Sequence, residues 1–258
     1  MKRNFICLLV LSLHISASAI AQSAEVNKKW SFSLLDIDSP KPDIIDPSTD
    51  IAKVQAGFQK KWLYPIDFRN KKLRREKTIR SCPALFDYLK RKKMPDTGDW
   101  YSYLYNFASC TTMDEILRAK PAKYDLLQNF SIDESTLSDL TNEMLPMFSN
   151  DESDAVEHDK GESYMQTSKN FPTFFGIKKV LKRDALTTEI QGNGVYQRLR
   201  ILGYADVNGD GYQDVLVTSE LFLDEGTWHT VELFALTRIK GQRITIAKHY
   251  PVPGAATD

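Results

Sequence analysis

Oxygen-bearing side chains at positions 1, 3, 5 and 9 of segment 206–214, with a glycine at position 6, are the clearest chemical feature of the chain. Hard cations such as calcium take six to eight oxygen ligands, and this spacing lets the side chains converge where the chain turns sharply. Zinc prefers nitrogen and sulfur. The segment predicts a calcium site, and the alternative interpretation is a tight turn without an ion. The predicted ligands are Asp206, Asn208, Asp210, Tyr212 through its main-chain carbonyl, and Asp214.

The residues around this segment distinguish it from an EF-hand. Position 12 is Val217 rather than glutamate, and the residues that follow alternate as in a strand. The segment closely resembles the calcium-binding hairpin loops of FG-GAP and VCBS-type repeats, over about residues 200–218. The resemblance implies the same five ligands. Only one copy of the motif is present, which argues against a propeller, since that architecture needs several blades.

The common catalytic motifs are absent from the sequence. It has no Gly-x-Ser-x-Gly elbow, no phosphate-binding glycine loop and no dinucleotide fingerprint. After residue 21 the histidines are His158, His229 and His249, and none of them is near another in sequence. We therefore predict that the protein is not an enzyme. A pair of carboxylates for glycoside hydrolysis stays open as an alternative, because the distance between carboxylates in space is not visible in a sequence.

The N-terminus has the pattern of a secretory signal peptide. Lys2 and Arg3 precede a short apolar run, and small residues follow before Gln22. We predict that residues 1–21 are removed by cleavage after Ala21. The apolar run is shorter than the about 20 residues that a permanent transmembrane helix needs, so we expect a periplasmic or secreted protein without a membrane span.

Two cysteines remain after the predicted cleavage, Cys82 and Cys110. In an oxidising compartment an even pair favours a disulfide over a metal site or a nucleophile. Closing a loop of roughly 29 residues stabilises the folded state by about 3.5 kcal/mol in the chain-entropy model. Two separate reduced cysteines are the alternative.

The charge balance gives no support for binding to nucleic acid. The 258-residue chain has 34 basic and 34 acidic side chains, and two of the basic ones are Lys2 and Arg3. Residues 69–80 are locally basic, and we interpret them as a solvated helix face, with an anion or partner patch as the alternative. Stacking aromatic residues, which a nucleic-acid surface would need, are not interleaved with these charges.

The periodicity of the sequence changes along the chain. Residues 22–50 read as an extended lead-in, and residues 51–149 have helical spacing of apolar residues. Residues 150–180 begin with an acidic stretch that we interpret as an exposed connection. Residues 181–258 alternate with period two and predict an antiparallel meander of about four strands, with the calcium loop joining the first two. The fold class is therefore α+β, with a helical, disulfide-linked first half.

The predicted function follows from export, from the lack of catalytic motifs and from the layout. That layout resembles uncharacterised bacterial envelope proteins, some of which are immunity proteins against secreted toxins. We therefore expect an exported inhibitor or immunity protein with a protein partner and a structural Ca²⁺. The alternatives are a calcium-dependent polysaccharide-binding or adhesion module and a cell-wall hydrolase that uses carboxylates. Trp228 and His229 are candidate interface residues, which we expect at the same end of the sheet as the calcium loop.

Overall fold

A computed structural model describes most of the chain after residue 50. The described residues are 32–34, 43–45, 51–70, 75–91, 97–145, 154, 156–158, 160–170, 176–223 and 229–254. The predicted signal peptide, residues 1–21, lies outside them. Of the predicted lead-in, only two short paired strands are described, Phe32–Leu34 (β1) and Asp43–Ile45 (β2).

Three helices follow, as the helical periodicity predicts. They are Ile51–Gln59 (α1), Cys82–Arg91 (α2) and Trp100–Arg118 (α3). Helix α3 carries the aromatic run of the sequence and buries Tyr103, Leu104 and Phe107. None of the helices in the described part of the chain is long and apolar enough to cross a membrane.

The described residues of the basic stretch lie mostly in two paired strands, so its interpretation as a helix face is wrong. Strands Ile66–Asn70 (β3) and Arg75–Ile79 (β4) pair antiparallel. Ile66, Phe68 and Ile79 are fully or almost fully buried. Side chains of a strand alternate between its two faces, so Ile66, Phe68 and Ile79 share the face towards the core, whereas Thr78 is exposed on the other face.

The predicted disulfide is confirmed. Cys82 at the start of α2 and Cys110 in α3 are bonded, with their Cα atoms 5.3 Å apart. Both cysteines are buried, and the bond links two helices that pack in the same core.

The second half of the chain is an antiparallel sheet. The described residues form six strands in the order β10-β9-β8-β7-β6-β5. The four predicted strands are Val195–Ala205 (β7), Asp214–Leu223 (β8), His229–Arg238 (β9) and Ile244–Tyr250 (β10). Two further strands, Lys179–Lys182 (β5) and Thr187–Gln191 (β6), extend the sheet beyond β7. The α+β class is confirmed.

Both faces of the sheet are covered. One face packs against α3 through residues such as Leu216, Val231 and Leu233, and α1 and α2 pack against α3 in the same core. The opposite face carries Val215 and Val217 and packs against short helical segments, which are Glu134–Asp139 (α4), the 3-10 turn Asn142–Met144 and Tyr164–Asn170 (α5). The sheet is therefore the middle layer of three.

Part of the predicted exposed connection is packed into this third layer. Tyr164 of α5 is fully buried and its hydroxyl donates to Oε1 of Gln197 in β7. The amide of Tyr164 donates to the carbonyl of Leu140, 2.7 Å away. Residues 150–153, 155, 159 and 171–175 of the connection lie outside the described residues.

Candidate metal centre

The candidate calcium loop joins β7 to β8 and has a tight, hydrogen-bonded backbone. Ala205 and Asp214 are the last paired residues of the two strands. Gly209 and Gly211 have φ angles of +78° and +89°, in the left-handed region that side chains disfavour. Glycine at these two positions lets the chain reverse within the loop without steric strain.

The acidic side chains of the loop point inward and accept hydrogen bonds from its backbone. The two carboxylate oxygens of Asp206 accept from the amides of Gly209 and Gly211, at 2.7 and 2.9 Å. Asp210 Oδ1 accepts from the Tyr212 amide at 2.8 Å, and Asn208 Oδ1 accepts from the Asp210 amide at 3.0 Å. The loop is therefore shaped by the side chains that the sequence proposes as ligands.

Asp214 has the most unusual environment of the set. Its side chain is fully buried, and Oδ2 accepts from the Val207 amide at 3.0 Å. Oδ1 has no hydrogen-bonding partner of good geometry among the described residues. The pKa of Asp214 is raised to about 6, mainly by burial; hydrogen bonds from the Thr237 hydroxyl and the Val207 amide lower it, and the charges of Asp210 and Asp206 contribute to the rise. A buried carboxylate oxygen that receives no hydrogen bond can act as a ligand for a cation.

The donor set fits a hard cation, although the loop must adjust to hold one. Within the described ranges, no group of three or more His, Cys, Asp or Glu side chains is already gathered for a metal. The amide of Asn208 donates to Asp210 Oδ2 at 2.9 Å, and this bond must open for both side chains to reach an ion. The available oxygens belong to carboxylates, an amide and a main-chain carbonyl, which suit calcium. The buried Oδ1 of Asp214, which has no hydrogen-bonding partner of good geometry among the described residues, is an oxygen that a bound cation would complement.

The loop is also fixed to the chain segment that follows α3. The carbonyl of Gly211 accepts hydrogen bonds from the amides of Lys123 and Tyr124, at 2.7 and 3.0 Å. In return, the carbonyl of Tyr124 accepts from the amide of Gln213 at 2.8 Å. The rings of Tyr124 and Tyr212 lie 5.1 Å apart. Sequence reasoning did not find this contact, because nothing in residues 119–124 has a motif that indicates a docking strand.

Apolar side chains are exposed at the same end of the sheet. Tyr124 is 56% exposed, and Leu126 and Ile239 are each 37% exposed. Ile239 follows the end of β9, which lies beside the start of β8 because Leu236 pairs with Val215. We call these three residues and the calcium loop the loop-end surface.

His229 lies at the opposite end of the sheet, so the prediction that it neighbours the calcium loop is wrong. It pairs with Phe222, near the end of β8, whereas the loop precedes the start of that strand. Its ring stacks between those of Phe222 and Tyr101, at 4.2 and 4.8 Å, and its Nε2 is 3.2 Å from the hydroxyl of Tyr105. Trp228 lies outside the described residues.

Comparison with known proteins gives no relative from which a function could be transferred. No family model, no curated protein and no solved structure matches the chain.

Proposed function

We propose that this protein is an exported binding protein that contacts a protein partner through the loop-end surface, and that the partner is a secreted antibacterial toxin that it inhibits. The observation that carries the proposal is the exposure of Tyr124, whose ring lies 5.1 Å from that of Tyr212 in the candidate loop, with Leu126 and Ile239 exposed at the same end of the sheet. Aromatic residues are enriched among the side chains that contribute most to protein interfaces. Clustered exposed apolar residues next to polar ones are typical of interaction sites.

In this proposal calcium acts on the interface through the backbone. Asp206, Asn208, Asp210, Asp214 and the Tyr212 carbonyl would hold the ion, which supplies positive charge among carboxylates that otherwise repel. Because the Gly211 carbonyl bonds to the Lys123 and Tyr124 amides, an ordered loop also holds Tyr124 in position. The ion would order this part of the surface in advance, so that binding of the partner would cost less conformational entropy.

The disulfide supports export. Cys82 and Cys110 are bonded, and disulfides persist in oxidising compartments such as the bacterial periplasm but are rare in the cytosol. A toxin that acts in the cell envelope would meet its inhibitor in that compartment. The lack of a catalytic motif in the sequence is consistent with a protein that acts by binding.

The test is capture of a partner by the exported protein and by two matched variants. Tyr124→Ala removes the exposed ring at the loop-end surface, and Tyr64→Ala removes a ring of equal exposure, 57%, in the connection between α1 and β3. We expect a stoichiometric partner, identified by mass spectrometry, whose toxicity is suppressed by this protein. Tyr124→Ala should weaken its binding at least about tenfold, while Tyr64→Ala should not.

Two results would contradict the proposal. The first is the absence of any stoichiometric partner that is toxic by itself. The second is a partner whose binding the Tyr124→Ala and Tyr64→Ala variants weaken equally, because the loop-end surface would then have no special part in binding.

A further inference from the structure

Two adjacent apolar side chains, Leu63 and Tyr64, are exposed in the connection between α1 and β3. Of the exposed large apolar residues in the described part of the chain, Leu63 is the most exposed, at 76%, and Tyr64 follows at 57%. Both lie in a bend of the backbone between the helix and the strand. An aliphatic and an aromatic side chain therefore stand together in water at one point of the surface.

The fold holds this exposed pair in place from both sides. Trp62 packs against the core of helices α1 to α3, and its amide donates to the carbonyl of Arg80 at 2.7 Å. On the other side, Pro65 restricts the backbone of Tyr64 to extended conformations, and Ile66 is fully buried at the start of β3. The pair is thus presented by a fixed backbone, so a binding partner would lose little affinity to ordering of this segment.

The surroundings of the pair are basic. Residues 51–66 contain three lysines and no acidic residue, although the chain as a whole has equal numbers of basic and acidic side chains. The hydrogen bond between Trp62 and Arg80 adds a fourth cation from the end of β4. The four exposed basic residues are Lys53, Lys60, Lys61 and Arg80. No described carboxylate forms an ion pair with any of them, so their charges are available to an anionic partner.

The combination of residue types favours a membrane surface over a protein partner. Lysine is depleted at protein interfaces relative to the rest of the surface. At the boundary between water and a bilayer, in contrast, tyrosine and tryptophan are enriched, and lysine and arginine are attracted to anionic headgroups. Long lysine side chains can keep their charge at the headgroups while neighbouring apolar groups enter deeper. The exposed Leu63 and Tyr64 between Lys60, Lys61 and Arg80 have this arrangement.

We propose that Leu63 and Tyr64, with the four basic residues around them, bind the surface of a bilayer that contains anionic phospholipids. Such a peripheral contact needs no membrane-spanning helix. The inference goes beyond the proposed protein partner and does not rest on it, because Tyr64 and Tyr124 lie in different segments and can be changed separately.

The test is sedimentation of the exported and processed protein with phospholipid vesicles. The probes are vesicles of phosphatidylcholine mixed with phosphatidylglycerol, which is anionic, and vesicles of phosphatidylcholine alone. We expect the protein to sediment with the anionic vesicles and to remain largely in solution with the neutral ones. Binding should weaken as the salt concentration rises, because salt screens the attraction between exposed charges and the headgroups.

A pair of lysine variants tests the position of the charges. Lys60→Gln combined with Lys61→Gln should lower the vesicle partition coefficient at least about tenfold, since each cation near an anionic surface contributes about fivefold. Lys178→Gln combined with Lys179→Gln is the matched control, because these two lysines are also adjacent and exposed, at the start of β5. The control removes the same charge and should change the partition coefficient less than about twofold.

A pair of tyrosine variants tests the apolar part. Tyr64→Ala should lower the partition coefficient at least about threefold, and the addition of Leu63→Ala should lower it further. Tyr124→Ala, which removes a ring of equal exposure at the loop-end surface, should leave vesicle binding unchanged. The two tyrosine variants should have the reverse effects on capture of the proposed protein partner, which separates the two proposals.

The inference is overturned if the protein does not bind the anionic vesicles, or if it binds neutral vesicles equally well. It is also overturned if the two lysine pairs weaken binding equally, since attraction would then come from the net charge and not from this surface. Equal vesicle binding by the Tyr64→Ala and Tyr124→Ala proteins would exclude the apolar contact.

Discussion

His229 shows at the scale of one residue how burial sets protonation. Burial, and secondarily the charge of Arg198, lower the pKa of His229 from 6.5 to about 4. The folded protein therefore prefers the neutral ring, and the unfolded chain binds the extra proton between these two values. The resulting stability is fully present above pH 6.5 and is lost as the pH falls towards 4.

We expect His229→Phe, which retains an aromatic ring beside Phe222, to remove this part of the pH dependence. Because the ring is only half buried, solvent screening weakens the effect of the His229 pKa shift on stability. Between pH 7 and pH 4, the free energy of unfolding of the native protein should therefore fall by roughly 1–2 kcal/mol more than that of the variant. Urea unfolding at several pH values measures the difference. Parallel pH profiles for the two proteins would contradict it.

At the residue scale, the sequence predicted the members of the candidate metal centre but not their environments. The spacing from Asp206 to Asp214 placed all of them in one turn, because a motif within nine residues needs no long-range information. The burial of Asp214 depends on β9 and on the register that brings Thr237 near it. Register between strands is a property of the whole sheet, and no short segment of sequence contains it.

The β7–β8 loop allows a test at the scale of elements. We expect Gly211→Ala to destabilise the fold by about 1–2 kcal/mol, because alanine is strained at a φ of +89°. Gly194→Ala, at a φ of +72° in the β6–β7 turn, is the matched control with a similar strain. Urea unfolding should give similar losses for both. Calorimetry should show weaker calcium binding for Gly211→Ala but not for Gly194→Ala. Equal calcium affinity in the two variants would contradict the assignment of the calcium site to this loop.

Helix α5, which lies in the predicted connection 150–180 after its acidic stretch, permits a second test of an element. Tyr164→Phe removes the buried hydroxyl that donates to Gln197, and we expect a loss of about 1–3 kcal/mol because a buried acceptor loses its donor. Tyr124→Phe removes an exposed hydroxyl and should change stability by less than about 0.5 kcal/mol. Chemical denaturation distinguishes the two variants. A loss as small as that of Tyr124→Phe would mean that α5 contributes little to the fold.

Elements with strong periodicity were predicted, and elements with weak or mixed patterns were not. Strands β7 to β10 are each seven or more residues long and rich in β-branched and aromatic residues, and each was found. Strand β6 is five residues long, mostly polar and yet largely buried, so its sequence pattern gives no indication of a core strand. The sequence did not predict strands β3 and β4, because charged residues occupy many of their positions and only alternate positions face the core.

At the scale of the whole molecule, the sheet separates two hydrophobic cores, one on each of its faces. Helices α1 to α3 cover one face, and α4, the 3-10 turn and α5 cover the other. The β7–β8 loop is hydrogen-bonded through the Gly211 carbonyl to the segment that leaves α3, so the loop is joined directly to the helical half. An ion that binds only the folded chain stabilises it by mass action, by about 2.7 kcal/mol at a concentration 100 times its dissociation constant.

The most direct test of this account is calorimetric titration of the metal-free protein with calcium, compared with the Asp206→Ala, Asp210→Ala double variant. We expect one equivalent of calcium to bind the native protein and to raise its melting temperature, and we expect both effects to vanish in the variant. The absence of binding heat and of any thermal shift in the native protein would contradict the calcium site, and with it the proposed role of the loop in holding Tyr124.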